Sequence, residues 1–416
     1  MLFLTIAKLG SISEHGIYTD LLREFRDRGD EVYVVCPAER RTNEATRFAL
    51  EDGIGVLRVR TGNLTQSTVV EKGISMLLLE LQFIRAINAW LHNVKFDLVV
   101  YSTPPVTFEK VVRYVKRRDG CMSYLLLKDI FPQNAVDLGM LRKGSLIWRY
   151  FRYKEKKLYA ASDFIGCMSA ANVKYVLTHN PDVPSSKVEE CPNSIKPYPL
   201  DRRAGRAATV RNSLGIPEEV VLFIFGGNLG RPQGIGFLLE ILDRGQNRND
   251  IFFLIVGSGT EYNRIEQHLK SRAYRNVKLL RTLPKDDFYT LLLECDVGLV
   301  FLDPRFTIPN FPSRVTAYME EAIPIIAATD PNTDLKDVLR ESGSGIWVRS
   351  GDLDAYMSAI DRLASNPTLR REMGKAGRRY LEANYTVSRT YEIITAHLKK
   401  NQRSGSMFEG CSKNFC

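Results

Sequence analysis

The stretch FIFGGNLGRPQGIGFLLEIL, residues 223–242, decides the fold. An apolar run ends in Gly226-Gly227, a turn passes through Gly230 and Gly234, and apolar residues then recur at helical spacing. That order predicts a buried strand, a tight glycine turn and an amphipathic helix, the repeating unit of parallel α/β sheets. Amides in such a turn can point at an anion, and Arg231 adds a positive charge beside them. A similar junction follows at VGSGTEYNRIE (256–266), and NFPSRVTAYMEEAIPIIAATD (310–330) sets Pro312-Ser313-Arg314 at a third helix start. Serine as cap with proline beside it leaves amides free at that start.

On either side, strand-like runs alternate with helical ones. LFLTIA (2–7), EVYVVC (31–36), GVLRV (55–59), DLVVY (97–101), YLLLK (124–128) and FIGCM (164–168) form one series. VVLFIFG (220–226), IFFLIVG (251–257), VKLLR (277–281), VGLVF (297–301), IPIIAA (323–328) and GIWV (345–348) form a second. The expectation is an α/β protein of two doubly wound, Rossmann-like domains facing across a cleft, with ligands beyond the carboxyl ends of the strands. The break falls near 192–218, where Pro192, Pro197, Pro199 and Pro217 cluster around DRRAGR. We therefore expect a first domain over 1–196 and a second over 197–383. A closing helix over 384–400 is expected to pack back on the first domain, followed by a disordered polar tail over 401–416.

A chain of 416 residues with 44% hydrophobic and 25% charged residues has ordinary globular composition, which excludes a disordered or fibrous protein. No apolar run approaches the roughly 18 residues of a membrane-spanning helix. The opening MLFLTIAKLGS lacks a basic region and a small-residue cleavage site, so it reads as a buried strand rather than an export signal. Seven scattered cysteines without C-x-x-C predict a reducing, cytoplasmic setting with neither disulfides nor structural zinc.

The formal charge of +10 is unevenly placed. Residues 1–196 carry 28 Lys/Arg against 22 Asp/Glu, and the whole excess lies in RKGSLIWRYFRYKEKK (142–157), with seven basic residues and one acid. Leu146, Ile147, Trp148, Tyr150, Phe151 and Tyr153 interleave with those cations. Such a segment suits an anionic membrane interface, with Trp148, Arg149, Phe151 and Arg152 as its expected contacts. The plainer reading is a solvated helix whose rings pack on their own domain. Nucleic acid is not expected, because phosphate-contact binding needs a wider basic footprint.

With these segments in view, the sequence resembles the retaining family-4 glycosyltransferases of GT-B fold, in the branch building bacterial O-antigen and capsular polysaccharide. The resemblance is carried by Gly16, KDIFPQNAVDLGML (128–141), CPNSI (191–195), the glycine loops above, CDVGLVF (295–301), FPSRVTAYME (311–320) and NPTLRREMGKAGRRYLEANYT (366–386). It implies transfer of a sugar from a nucleoside diphosphate, UDP by analogy, to a hydroxyl of a polyprenyl-diphosphate-linked saccharide, with retention. It further implies metal-independent chemistry without a cofactor, at the inner leaflet of the inner membrane.

The resemblance also assigns residues. The donor diphosphate is held in the family by an Arg and a Lys, whose positions here are Asn228 and Gln233, so Arg231 is expected to supply the missing charge. Gly16, Gly227, Ser258, Ser313 and Arg314 complete the expected phosphate contacts, and Arg281, Thr282 and Leu283 stand where the base is read. The family's paired carboxylates fall on Pro309 and Ala317 and are absent; Glu320 and Glu321 lie one turn on. Asp129, at the end of a strand, is the expected catalytic carboxylate, with Arg231 stabilising the leaving diphosphate. An Asp capping a helix or pairing with Lys128 is the structural alternative. His15, beside Gly16 on its loop, reads as a structural or solvent-exposed imidazole rather than a base, and Ser169 and Asn193 sit at other strand ends. Two rival functions fit the same fold or charge: a nucleotide-sugar 2-epimerase, and a non-catalytic basic binding protein.

Overall fold

The computed structural model describes residues 1–64, 69–200 and 209–411, so the DRRAGR linker (201–206) and 412–416 lie outside the described residues. The chain divides into two compact units. The first comprises Met1–Pro132, Leu141–Lys196 and Thr386–Cys416; the second comprises Gln133–Met140 and Pro197–Tyr385.

In the first unit the strands are β1 (Leu2–Leu4), β2 (Tyr33–Glu39), β3 (Arg47–Glu51), β4 (Ile54–Thr61), β5 (Leu98–Ser102), β6 (Met122–Leu127), β7 (Phe164–Cys167) and β8 (Val188–Glu190). They form one sheet in the order β3-β4-β2-β1-β5-β6-β7-β8. In the second unit, β9 (Val221–Asn228), β10 (Ile251–Ser258), β11 (Val277–Leu280), β12 (Val297–Phe301), β13 (Ile325–Thr329) and β14 (Gly345–Arg349) run in the order β11-β10-β9-β12-β13-β14. Both are Rossmann-like: each starts at a central strand, winds one way, then reverses. Two strands escaped the sequence reading, β3 and β8. Both are edge strands without the long apolar run that marks a buried one, and β3 runs antiparallel to β4, so the first sheet is not wholly parallel.

The central strands are buried on both faces, which is why they read as continuous apolar runs. Phe223, Phe225, Phe253, Leu299 and Phe301 pack with Leu238, Ile241 and Tyr356 in the second unit. Phe3, Val34, Val100, Tyr124 and Leu126 pack with Leu22 and Phe25 in the first. That first core also takes Val387 and Ile394 from the last helix, Val387–Cys411. Tyr391 stacks edge-on against Phe25 at 4.7 Å, and Ser194 and Thr390 share a 2.7 Å hydrogen bond. The helix continues past residue 400, into the stretch expected as a polar tail. Cysteines 36, 121, 167, 191 and 295 are buried, and none of these five forms a disulfide.

Candidate functional site

The second unit gathers its expected residues at one end of its sheet. Gly227 and Asn228 end β9, Gly257 and Ser258 end β10, and β9 and β10 pair to their last residues, Ser258 opposite Asn228. This pairing demands glycine: a Cβ on Gly257 would stand 1.9 Å from the carbonyl oxygen of Gly227. Beyond β9 the chain makes a short turn over Arg231–Gln233 and enters the Ile235–Gly245 helix through Gly234. Gly234 is left-handed (φ 55°), and a Cβ there would press to 3.0 Å on the carbonyl oxygen of Leu302, just past β12. The turn therefore lies against the switch point between β9 and β12, where the two winding directions of the sheet diverge.

Arg314 opens the Arg314–Glu320 helix, which Tyr318, one turn on, ties to the sheet. Tyr318 is buried beneath it, donating to the carbonyls of Ile224 and Leu299 at 3.2 and 3.3 Å and accepting from the amide of Gly226. Gly298 leaves room for that ring, and burial pushes the phenol up to about 12, so it stays protonated. Held this way, the Arg314 guanidinium lies over the Phe225 ring, 4.4 Å from its centroid. Its Nη2 donates to Gln233 Oε1 at 2.5 Å and to the carbonyl of Asn228 at 3.4 Å. Nη1 is buried with no partner among the described residues, and no carboxylate pairs with the group. Burial holds its pKa below the ordinary arginine value. A half-buried cation without a counter-charge is costly, and an anion bound beside it would offset that cost.

Arg231, expected to be the principal cation, is placed differently. Its side chain is 60% exposed and lies 4.0 Å from Glu261, which also pairs with Arg264 at 3.1 Å. Gln233, expected to replace a lysine, instead orients Arg314. Thr282 donates to Ser258 at 2.8 Å, tying the segment after β11 to the β10 loop, while Arg281 packs over the Tyr262 ring at 4.3 Å. Leu283 follows, half-buried. Ser313 precedes the Arg314 helix in α conformation without a capping side-chain bond. Glu320 accepts from the amide of Tyr198 at 2.8 Å, and both Glu320 and Glu321 are buried in the fold. An Asp-x-Asp occurs at Asp352-Leu353-Asp354. Asp352 caps the Leu353–Ala364 helix and Asp354 pairs with Arg244 at 2.8 Å, so both carboxylates serve the fold.

In the first unit, Gly16 precedes the Ile17–Asp27 helix, and its amide donates to Asp20 at 3.0 Å. Asp20 is wholly buried and also takes Arg23 at 2.5 Å, the amide of Lys196 at 2.8 Å and His15 Nδ1 at 2.9 Å. Neither Gly16 nor His15 was read as part of such a cluster. Asp129 follows β6 half-buried, its amide bonded to Thr103 Oγ1 at 3.1 Å. Ser169 caps the Ala170–His179 helix through the amide of Asn172. A surface depression of about 500 Å³ between that helix and β8, lined by Val173, Leu177 and Glu190 among others, contains none of the expected site residues.

The basic–aromatic segment is the Leu146–Ala161 helix, and its faces are not those expected. Phe151 stacks on Phe131 at 4.8 Å, Arg152 binds Glu155 and the carbonyl of His179, and Trp148 is half-buried. Outward face Leu146, Ile147, Tyr150 and Tyr153, with Arg142, Lys143 and Arg149 exposed beside them. A buried ion pair, Lys154 to Glu80 at 3.0 Å, joins this helix to Val69–Trp90. The latter exposes Ile74, Leu77, Leu78 and Leu81, spaced to share one side. The sequence reading missed this second apolar face, although ISMLLLEL (74–81) carries it openly.

Comparison with known proteins bears on both units. Residues 17–197 match the family described as Glycosyltransferase Family 4, and residues 207–380 the family described as Glycosyl transferases group 1. Among curated proteins, the probable glycosyltransferase WbjE of Pseudomonas aeruginosa is 24% identical over 312 residues, covering 72% of this chain and 75% of WbjE. The putative colanic acid biosynthesis glycosyl transferase WcaI of Escherichia coli is 25% identical over 275 residues, 64% of this chain and 66% of WcaI. Among solved structures, a sucrose-phosphate synthase from Thermosynechococcus elongatus superposes with a TM-score of 0.74 at 17% identity, covering 97% of this chain and 99% of that one. Anabaena HepE in complex with UDP superposes with a TM-score of 0.66 at 15% identity, covering 96% and 99%.

Proposed function

We propose, for a chain that is a glycosyltransferase of the GT-B fold, that it moves a sugar from UDP to a hydroxyl of a lipid-linked saccharide, with retention, in bacterial surface polysaccharide synthesis. The observation that carries the donor reading is Arg314: an uncompensated guanidinium, held by Gln233 on a helix that Tyr318 ties to the sheet, beside the glycine turn that ends β9. A leaving diphosphate gains negative charge as the glycosidic bond breaks, and a fixed guanidinium with oriented amides lowers the energy of that state. UDP is favoured because it is bound in the HepE complex. The polysaccharide setting is favoured by the likeness to WcaI. Asp129 then serves the acceptor side, polarising the attacking hydroxyl. Arg231, exposed and near Glu261, has a secondary part in gripping the diphosphate.

The exposed apolar faces of Leu146–Ala161 and Val69–Trp90, fringed by Arg142, Lys143 and Arg149, suit a peripheral position on an anionic inner leaflet. Calorimetric titration with UDP and GDP tests the donor reading. Binding of UDP by the native chain, weakened roughly 10- to 100-fold in Arg314→Gln, is the expected result; absence of binding by the native chain to either nucleotide removes the proposal. Product stereochemistry from the anomeric proton coupling tests retention separately, and conversion of the free nucleotide sugar without acceptor would favour the epimerase instead.

A further inference from the structure

The first unit holds its own cation without a counter-charge. Lys128 follows β6 immediately and is half-buried. Its backbone is fixed, since Thr103 Oγ1 accepts from the amides of Lys128 and Asp129 at 2.9 and 3.1 Å. The ammonium has one long contact, 3.5 Å to the carbonyl oxygen of Cys191, and no carboxylate within 4.0 Å among the described residues, Asp129 included. The ionisable groups that act on it are the thiols of Cys191 and Cys167. Burial pushes Cys167 up to about 12 and raises Cys191 as well, so both are neutral at physiological pH and neither balances the lysine. Two residues beyond Cys191 stands Asn193, 5% exposed, whose Oδ1 has no partner among the described residues. Its Nδ2 reaches only the sulfur of Met168, at 3.5 Å, just past β7. A thioether is so weak an acceptor that the amide can turn over at little cost and present an N–H instead.

We propose that Lys128 and Asn193 form a phosphate subsite at the carboxyl ends of β6, β7 and β8, and that it takes the diphosphate of the acceptor. The inference deepens the function proposed above and rests on its lipid-linked acceptor. A compact ammonium that meets phosphate as a point charge, beside an amide donor, suits a diphosphate on a mobile carrier. Burial also lowers the lysine's pKa, which makes it a reactive amine when the subsite is empty.

The test uses the full chain and three probes: farnesyl diphosphate, inorganic pyrophosphate and UDP. In calorimetric titration, Lys128→Met should weaken farnesyl diphosphate by roughly tenfold or more, the usual worth of a charge-assisted contact, while UDP stays within about twofold. Lys128→Arg should restore most of that loss. Acetylation by an N-hydroxysuccinimide ester, mapped by peptide mass spectrometry, reads the native protein directly: Lys128 should be modified, and farnesyl diphosphate should protect it. Unchanged farnesyl diphosphate affinity in Lys128→Met overturns the subsite. An equal loss of UDP overturns the acceptor assignment, as does protection by pyrophosphate but not by the prenyl diphosphate. The UDP titration of the native chain judges the donor reading independently, so failure of either is told apart.

Discussion

Arg314 and Arg231 sit on segments that an unaided reading treats alike, yet the fold separates them. Arg314 is aimed, half-buried and uncompensated; Arg231 is exposed beside Glu261. Arg314→Gln should therefore weaken UDP roughly 10- to 100-fold, whereas Arg231→Ala should weaken it about threefold or less, both read by titration calorimetry. The glycine turn was legible because a close backbone approach leaves a residue type behind. The partners of Arg314 were not, since Gln233 lies 81 residues away and nothing local marks the pair. Asp330 was missed for the same reason. It is 1% exposed at the end of β13; Oδ1 accepts the amides of Asn332 and Thr333, while Oδ2 has no partner among the described residues. Burial raises its pKa to about 6. The folded chain thus holds this proton at a pH where the unfolded chain has lost it, so the group costs stability as pH rises from about 4 to 6. Asp330→Asn should raise stability at pH 7.5 by about 2 kcal/mol and add little at pH 4, as measured by urea midpoints.

Among the elements, the buried strands declared themselves and the edge strands did not. RFALE (47–51) and VEE (188–190) are short and carry charge, so periodicity has little to detect. The Leu146–Ala161 helix was recognised as basic and aromatic, but which of its faces points outward depends on what it packs against. Phe151 and Arg152 turned out to hold the helix to its own unit. Replacing Leu146, Ile147 and Tyr150 with serine should reduce co-sedimentation with anionic vesicles by on the order of tenfold or more while leaving thermal stability near native. Phe151→Ala should do the reverse, lowering stability by about 2–3 kcal/mol. The vesicle binding should also weaken as salt rises, because Arg142, Lys143 and Arg149 are exposed.

At the scale of the molecule, alternation of strand and helix predicted two Rossmann-like halves, and both sheets have that winding. What alternation does not report is which residues of distant segments share a core. The first core is assembled from Met1–Pro132, Leu141–Lys196 and the final helix, so Val387, Tyr391 and Ile394 finish a structure begun nearly 400 residues earlier. Ending the chain after Tyr385 should lower the stability of the first unit by on the order of 5 kcal/mol, from the loss of these buried side chains, and leave the second unit's transition in place. Differential scanning calorimetry separates the two.

The return of the last helix sets a timetable for biosynthesis. A ribosome that has released the first 196 residues must still polymerise residues 197–385 before Val387 and Ile394 exist. At roughly 5–20 residues per second that is a wait of about 10–40 s, during which Phe25 and its apolar neighbours face water without their cover. The nascent amino-terminal half is accordingly expected to keep part of its apolar core uncovered until translation delivers the last helix.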